Sequence, residues 1–311
     1  MAPRRSEPRV LVLGDLLLDA VLAPDTPLRS GTDVAGRVVL RQGGSAASTA
    51  RWLARLGARV TLVTAVGRDP IGRALVTAVR RDRVTVRVVR VAGAPTGRIG
   101  VLVSPDGERS FVADRGAADL LPPEAIHPEW FRALDALHLP IYSLLGDPIG
   151  RAARRAIELV RSAGGAISLD LASSGPLMAT GRHAATSLIS EVRPDILFAT
   201  ASEAEALLGP RPLADLLSLA PIALVKRGPA GAAVLVDQGG DRLRFDIATE
   251  RIAATDSTGA GDAFDAGALV AWLAAPAGDR RRPAVLRRAA HAGQRAAIRQ
   301  LTGPRPELAL G

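Results

Sequence analysis

Residues 256–267 read DSTGAGDAFDAG, a stretch that puts a carboxylate where a peptide backbone can bind an anion. Gly259, Ala260 and Gly261 are followed by Asp262 and then by an apolar, helix-compatible run of Ala263, Phe264, Ala266, Ala268 and Leu269. A helix starting here leaves its first N–H groups without intrahelical partners, at the positive end of the helix dipole. Side chains this small leave those groups uncovered, so an anion can approach them. A carboxylate at the same place competes with that anion unless it has a task of its own. A proton acceptor beside a phosphate site is the equipment for phosphoryl transfer to a hydroxyl.

Two commoner phosphate loops do not match. The chain's single lysine, Lys226, is followed by Arg227 and Gly228, not by the hydroxyl residue of G-x-x-x-x-G-K-[ST]. The stretch LVLGDLLLD, residues 11–19, carries one glycine where the dinucleotide fingerprint needs three.

The setting is that of a globular enzyme. At 311 residues with 48% hydrophobic content, the chain can bury a large core, as one sizeable α/β domain or two small ones. It has no cysteine, which removes disulfides and thiolate metal sites. No apolar run approaches the length of a membrane span, and the first residues lead into a strand-like segment without a signal-peptide core, so a cytoplasmic protein is expected. The net charge of +9 comes from arginines scattered in pairs along the chain, while aromatic residues make up only 3%. That pattern fits solvated helix faces, not a nucleic-acid footprint, and it is compatible with an anionic small molecule.

The elements that must position these residues alternate. RVLVLGD (9–15), RVTLVTAVG (59–67), AISLDL, PDILFAT, IALVKRG and AAVLVDQ read as strands. GGSAASTARWLARLG (43–57), DPIGRAARRAIELVRSAG and ASEAEALLG read as helices between them. Such alternation predicts a parallel sheet covered on both faces, with ligands at the carboxyl ends of the strands. Residues 20–42 and 84–113 break the rhythm with β-type alternation and turn signals, which predicts a small antiparallel sheet projecting from the main one as a lid.

DSTGAGDAFDAG resembles the D-T-x-G-A-G-D signature of the ribokinase-like (PfkB) carbohydrate kinases, with Ser257 in place of the usual threonine. Further stretches resemble the family in order: GDLLLD, GGSAASTA, VGRDPIG, TASE, VKRGPAG and AAHAGQRAAIRQLTGPRP. The resemblance implies an α/β ribokinase-like three-layer sandwich, with a mainly parallel central sheet and a small β-sheet lid, as one kinase domain over residues 1–311. It implies ATP and Mg2+ as cofactors, a sugar or sugar-like alcohol as acceptor, and a homodimer through the lid. A nucleoside kinase of the same fold, and a catalytically weak sugar- or nucleoside-binding regulatory paralogue, are the alternatives.

Residue by residue, Asp262 matches the family's catalytic base, and Gly259, Ala260 and Gly261 match its anion hole. Asp19, Gly43, Gly44 and Ser48 match the acceptor site, with Ser48 standing where many relatives have asparagine. Lys226, Gly228 and His291 match the nucleotide contacts, although a lone helical histidine can equally be packed or solvated. Glu203 matches the glutamate of N-x-x-E that organises magnesium through water, with Thr200 replacing the asparagine. A helix-capping role is the other reading of Glu203. Asp256 falls in the segment that lies near a potassium-type ion in related kinases, and a turn-closing carboxylate explains it equally well.

Overall fold

The computed structural model describes residues 7–104, 109–252 and 256–309. Its first part runs β1 (Arg9–Leu13), β2 (Leu17–Pro24), β3 (Gly36–Gly43), α1 (Ser45–Arg55), β4 (Arg59–Gly67), α2 (Pro70–Arg81), β5 (Thr85–Val91), β6 (Thr96–Val103) and β7 (Arg109–Gly116). There follow β8 (Ala136–Pro140), α3 (Ile149–Ser162), β9 (Ala166–Asp170), α4 (Ser174–Met178), α5 (Arg182–Val192), β10 (Ile196–Thr200) and α6 (Ala201–Leu208). The chain ends with β11 (Ile222–Lys226), β12 (Ala232–Gln238), β13 (Asp241–Ile247), α7 (Ala260–Leu273) and α8 (Pro283–Thr302).

Nine strands form the main sheet in the order β13-β12-β11-β10-β9-β8-β1-β4-β5. Pairs from β5 across to β11 are parallel, while β12 and β13 add an antiparallel hairpin at one edge. Because successive side chains of a strand point to opposite faces, Val10 and Val12 join a core with α1, α2, α7 and α8, whereas Leu11 and Leu13 join a second core with α3, α5 and α6. The result is the expected helix–sheet–helix sandwich.

Local chemistry sets the helix starts. Asp69 caps α2 by accepting from the Gly72 amide at 2.7 Å, and Pro70 occupies the first turn, where its missing N–H costs nothing. At α6 the Thr200 hydroxyl and the Glu203 carboxylate form a reciprocal capping box.

The small sheet has the order β3-β2-β6-β7 and departs from expectation in two ways. Of the segment 84–113, residues Thr85–Val91 pair in parallel with β4 as the edge of the main sheet, and only β6 and β7 enter the lid. A half-buried edge strand alternates just as a lid strand does, so periodicity cannot separate them. The central pair of the lid, β2 with β6, is parallel, flanked by antiparallel pairs on either side. Both hairpins follow parallel strands of the main sheet, β1 and β5, and so set out in the same direction.

The two C-terminal helices lie close because Gly267 of α7 faces the backbone of α8. A Cβ at Gly267 would come within 2.6 Å of the Ala292 carbonyl oxygen, whereas one at Gly175 meets nothing within 4 Å. Gly267→Ala is therefore expected to destabilise the protein by about 1–3 kcal/mol through overpacking, despite alanine's better helix propensity. Gly175→Ala should not. Urea midpoints of the two variants against the parent check this, and an unshifted Gly267→Ala midpoint would refute the close packing.

Candidate active site

Five neighbouring parallel strands deliver residues to one place. Asp15 follows β1 and Tyr142 follows β8, while Asp170, Thr200 and Lys226 end β9, β10 and β11. All five line a cleft of about 2090 Å³ that continues under the small sheet. A single small-molecule pocket measures roughly 300–1,000 Å³, so this one has room for two ligands side by side. It lies where the strand order turns back between β1 and β8, the position at which open α/β sheets bind ligands.

Asp19, Gly43, Gly44 and Ser48 line one end together, as their resemblance to an acceptor site implies. Asp19 on β2 lies against Gly43 on β3 so closely that any Cβ at Gly43 would collide with its carboxylate. Burial, reinforced by the charge of Asp15, pushes the Asp19 carboxyl up to about 7. Gly44 has φ +94° at the start of α1, with the Asp15 carbonyl oxygen within 2.6 Å of where a Cβ would be. Only glycine fits such a site without strain. Asp15 itself caps α1 through the Ala46 amide at 3.0 Å and accepts from Arg115 at 3.2 Å. Its position as the first aspartate of GDLLLD was the available signal for this role.

At the start of α7, Gly259 adopts φ +76° and no side chain caps the helix. The Ala260 amide donates to the Ser257 carbonyl at 3.2 Å. Among the described residues the Gly259 and Gly261 amides have no protein acceptor, and both residues line the cleft. Asp262 projects from the first turn, where its Oδ1 accepts a hydrogen bond of 2.7 Å from the Ser45 hydroxyl. Two helix N-termini, those of α1 and α7, thus meet at one carboxylate. Burial pushes the Asp262 carboxyl up to about 7, against the Ser45 hydrogen bond and Lys226, which favour its charged form. The arrangement can accept a proton and bind an anion within the same turn.

Lys226 takes a different part from a free nucleotide contact. Its Nζ donates to Asp170 at 2.9 Å and to both oxygens of Asp265 at 3.0 Å, which uses all three ammonium protons. Burial alone would depress the ammonium, but Asp170, Asp265 and Glu203 outweigh it and raise its pKa. Asp265, fully buried, is a residue whose partner the sequence did not disclose, although its place three residues after Asp262 on one helix face could have suggested it. Gly228, two residues beyond β11, lines the cleft and is exposed. His291 is exposed on α8 and lies outside the cleft lining.

Glu203 has the helix-capping role and also stands at the cleft. One carboxylate oxygen accepts from the Thr200 amide at 2.8 Å in the capping box, and the side chain also borders the cleft. Burial and the Asp170 charge raise its pKa. Among the described residues no cluster of three or more His, Cys, Asp or Glu side chains is spaced to hold a metal ion. Yet Asp170, Asp262, Asp265 and Glu203 surround a single ammonium, and this excess of negative charge suits a divalent cation that takes its remaining ligands from water and phosphate oxygens.

Asp256 is enclosed by arginines. Its carboxylate accepts from Arg41 of β3 at 2.9 Å, from Arg109 of β7 at 3.4 Å, and from Arg305. Burial would raise this carboxyl, but the Thr258 hydroxyl and amide together with Arg305 hold it at about 2. Arg109 also donates to Thr258 at 2.6 Å and to Ser257. Both hairpins of the lid are thereby fastened to the loop that begins α7. A monovalent-cation ligand at Asp256 does not fit this arrangement, since its oxygens already face three guanidinium groups.

The chain belongs to the pfkB family of carbohydrate kinases, whose pattern matches residues 7–305. It is 31% identical over 283 residues to the fructokinase of Salmonella typhimurium, covering 86% of this chain and 85% of that one. Adenosine kinase from Sinorhizobium meliloti has the same fold, with a TM-score of 0.82 and 24% identity over 98% of both chains. A double-mutant fructokinase from Vibrio cholerae O395, solved with fructose, ADP and a potassium ion, superposes with a TM-score of 0.78 at 22% identity over 98% of this chain and 96% of that one. No described helix is long and apolar enough to cross a membrane.

The Asp262 environment predicts a pH profile. Only the ionised carboxylate accepts a proton, so kcat/KM should fall as pH drops through about 7. Ser45→Ala removes a hydrogen bond to the charged form and should move that acid limb to higher pH. Asp19 titrates in the same range, and the Ser45 shift separates the two. An acid limb at the same pH in both proteins would show that another group governs it.

Proposed function

We propose that this chain transfers the γ-phosphoryl group of ATP to a hydroxyl of a sugar, with Asp262 as the base and the amides of Gly259 and Gly261, on either side of Ala260, as the anion hole. The observation that carries this reading is the half-buried Asp262 carboxylate at the uncapped start of α7. The acceptor lies between Asp19, the Gly43–Gly44 backbone and Ser48, where a carboxylate can accept hydrogen bonds from two sugar hydroxyls. Asp262 takes the proton of the reacting hydroxyl as its oxygen bonds to the γ-phosphorus, and the bond to ADP breaks. The Gly259 and Gly261 N–H groups hold the charge that develops on the transferred group. Glu203, through water, and Asp170 would hold magnesium, which would supply neutralisation of the phosphate charge. Lys226 acts through Asp170 and Asp265, fixing both carboxylates, and Gly228 leaves the backbone open to the nucleotide.

Fructose is the first acceptor to test, supported by the Salmonella fructokinase likeness. ADP release measured with a panel of fructose, ribose, sugar acids and adenosine distinguishes it from the nucleoside alternative. Stimulation by adenosine alone would replace the sugar reading. With the acceptor in hand, Asp262→Asn should keep the fold and ATP binding while lowering kcat by about two to four powers of ten. An unchanged kcat removes Asp262 from the chemistry.

The same reading places the enzyme in the cytoplasm and makes it a homodimer through the lid. Odd-numbered lid residues such as Asp19, Arg41 and Arg109 line the cleft, while the opposite face carries Leu22, Val38 and Val112, 40%, 69% and 77% exposed. An exposed apolar sheet face of this kind suits pairing with a second copy. Sedimentation should show a dimer that Val38→Asp with Val112→Asp converts to monomer. A parent protein that is monomeric at micromolar concentration would contradict this.

A further inference from the structure

We propose that Arg305 supplies from within the chain the positive charge that a bound monovalent cation would otherwise bring to the loop entering α7, so that this enzyme works without potassium. The inference rests on the kinase reading for its catalytic consequence, but not for its structural one. It starts from a disagreement: the resemblance places a potassium-type ion near Asp256, and the structure places guanidinium groups there.

The oxygens concerned are of the kind that replace the hydration shell of a potassium ion, namely main-chain carbonyls and a carboxylate. Arg305 Nη2 donates to the Asp256 carbonyl oxygen at 2.6 Å and approaches the Gln300 carbonyl oxygen at 3.5 Å. Arg305 Nη1 pairs with Asp256 Oδ2, which also accepts from Arg41 at 2.9 Å. One side chain therefore engages two main-chain carbonyls and a carboxylate at once, through the planar fork of donors that a guanidinium presents. With Arg41 and Arg109 also facing Asp256, a further mobile cation would meet net repulsion.

The presentation of Arg305 is built into the chain. It stands just beyond α8 between Pro304 and Pro306, whose rings restrict the backbone on both sides, and its side chain is only 15% exposed. What it holds leads directly to the anion-binding turn. Asp256 Oδ1 accepts from the Thr258 amide at 2.9 Å, and Gln300 Nε2 donates to the Thr258 carbonyl oxygen at 2.9 Å. Gln300 is itself fixed by the Trp52 indole at 3.0 Å. The residue after Thr258 is Gly259, which lines the cleft. Arg305 is thus a positioning residue: it orders the residues that precede the free amides without touching the reacting atoms.

The experiment compares potassium chloride with tetramethylammonium chloride at constant ionic strength, using the full chain and two readouts. For the parent protein, kcat should agree within about twofold in the two salts and the thermal midpoint should be the same in both. For Arg305→Ala, kcat should fall at least about tenfold in tetramethylammonium with a smaller change in the KM for acceptor, as expected when the anion hole loses its geometry and the acceptor site does not. Potassium or low millimolar guanidinium should then restore part of kcat and raise the thermal midpoint of the variant in a saturable way. Arg305→Lys should lie between the two and gain less from potassium. A parent protein whose midpoint or kcat rises saturably with potassium overturns the proposal, and so does an Arg305→Ala variant that equals the parent in tetramethylammonium. If Arg305→Ala does not fold, the parent and Arg305→Lys arms still decide. If no acceptor is phosphorylated, the kinase reading fails, while the potassium dependence of the midpoints still tests the cation.

Discussion

The rest of the site depends on the bare start of α7. A helix normally covers its first amides with a Ser, Thr, Asp or Asn side chain, and here Gly259 leaves them open. Glycine at that position gives up only roughly a few tenths of a kcal/mol relative to a capping side chain, so the opening is inexpensive for the helix. It does demand that the preceding loop be held by something other than the helix. Asp256, Thr258 and Gln300 do this through hydrogen bonds to one another and through arginines that arrive from the lid and from the C-terminal end of α8. The open amides and the crowded charges around Asp256 are two sides of one requirement.

A second balance lies beneath the cleft. One ammonium, Lys226, faces Asp170 and Asp265 directly and feels Glu203 as well. Removing charges from water is costly unless they are paired, and here the pairing is incomplete. Burial, with the Asp170 charge added to it, leaves carboxyls at Asp262 and Glu203 that hold protons more tightly than usual. A divalent cation entering such a site would find neutralising carboxylates in place, and its charge would favour the ionised form of Asp262.

Much of this was legible in the sequence because it is local. Glycine spacing, helix caps and the alternation of strands depend on neighbours within a few residues, and the helix starting at residue 260, the capping box at Thr200 and the parallel sheet follow from them. What was missed is non-local. Arg41, Arg109 and Arg305 are far apart in the chain, and nothing in their own surroundings says that all three meet at Asp256. Lys226 matches a nucleotide contact in the sequence, which does not show that Asp170 and Asp265, from another strand of the sheet and a helix, hold it. Thr85–Val91 was assigned to the wrong sheet because alternation records which side of a strand is covered and not which strand lies beside it.

The parallel pair at the centre of the lid has a consequence for how the molecule comes to be assembled. Leu18 pairs with Arg98, and between them the chain lays down β3, α1, β4, α2 and β5. An antiparallel hairpin can close as soon as its turn is made, but this pairing must wait for a whole α/β layer to be in position and for a long loop to lose its freedom. The lid is therefore no cassette that could be cut out and moved by its two ends. During synthesis the β2–β3 hairpin remains unpaired at β2 until β6 emerges, with Leu18 and Val39, which the finished fold buries, still uncovered, and that interval exposes the nascent chain to aggregation.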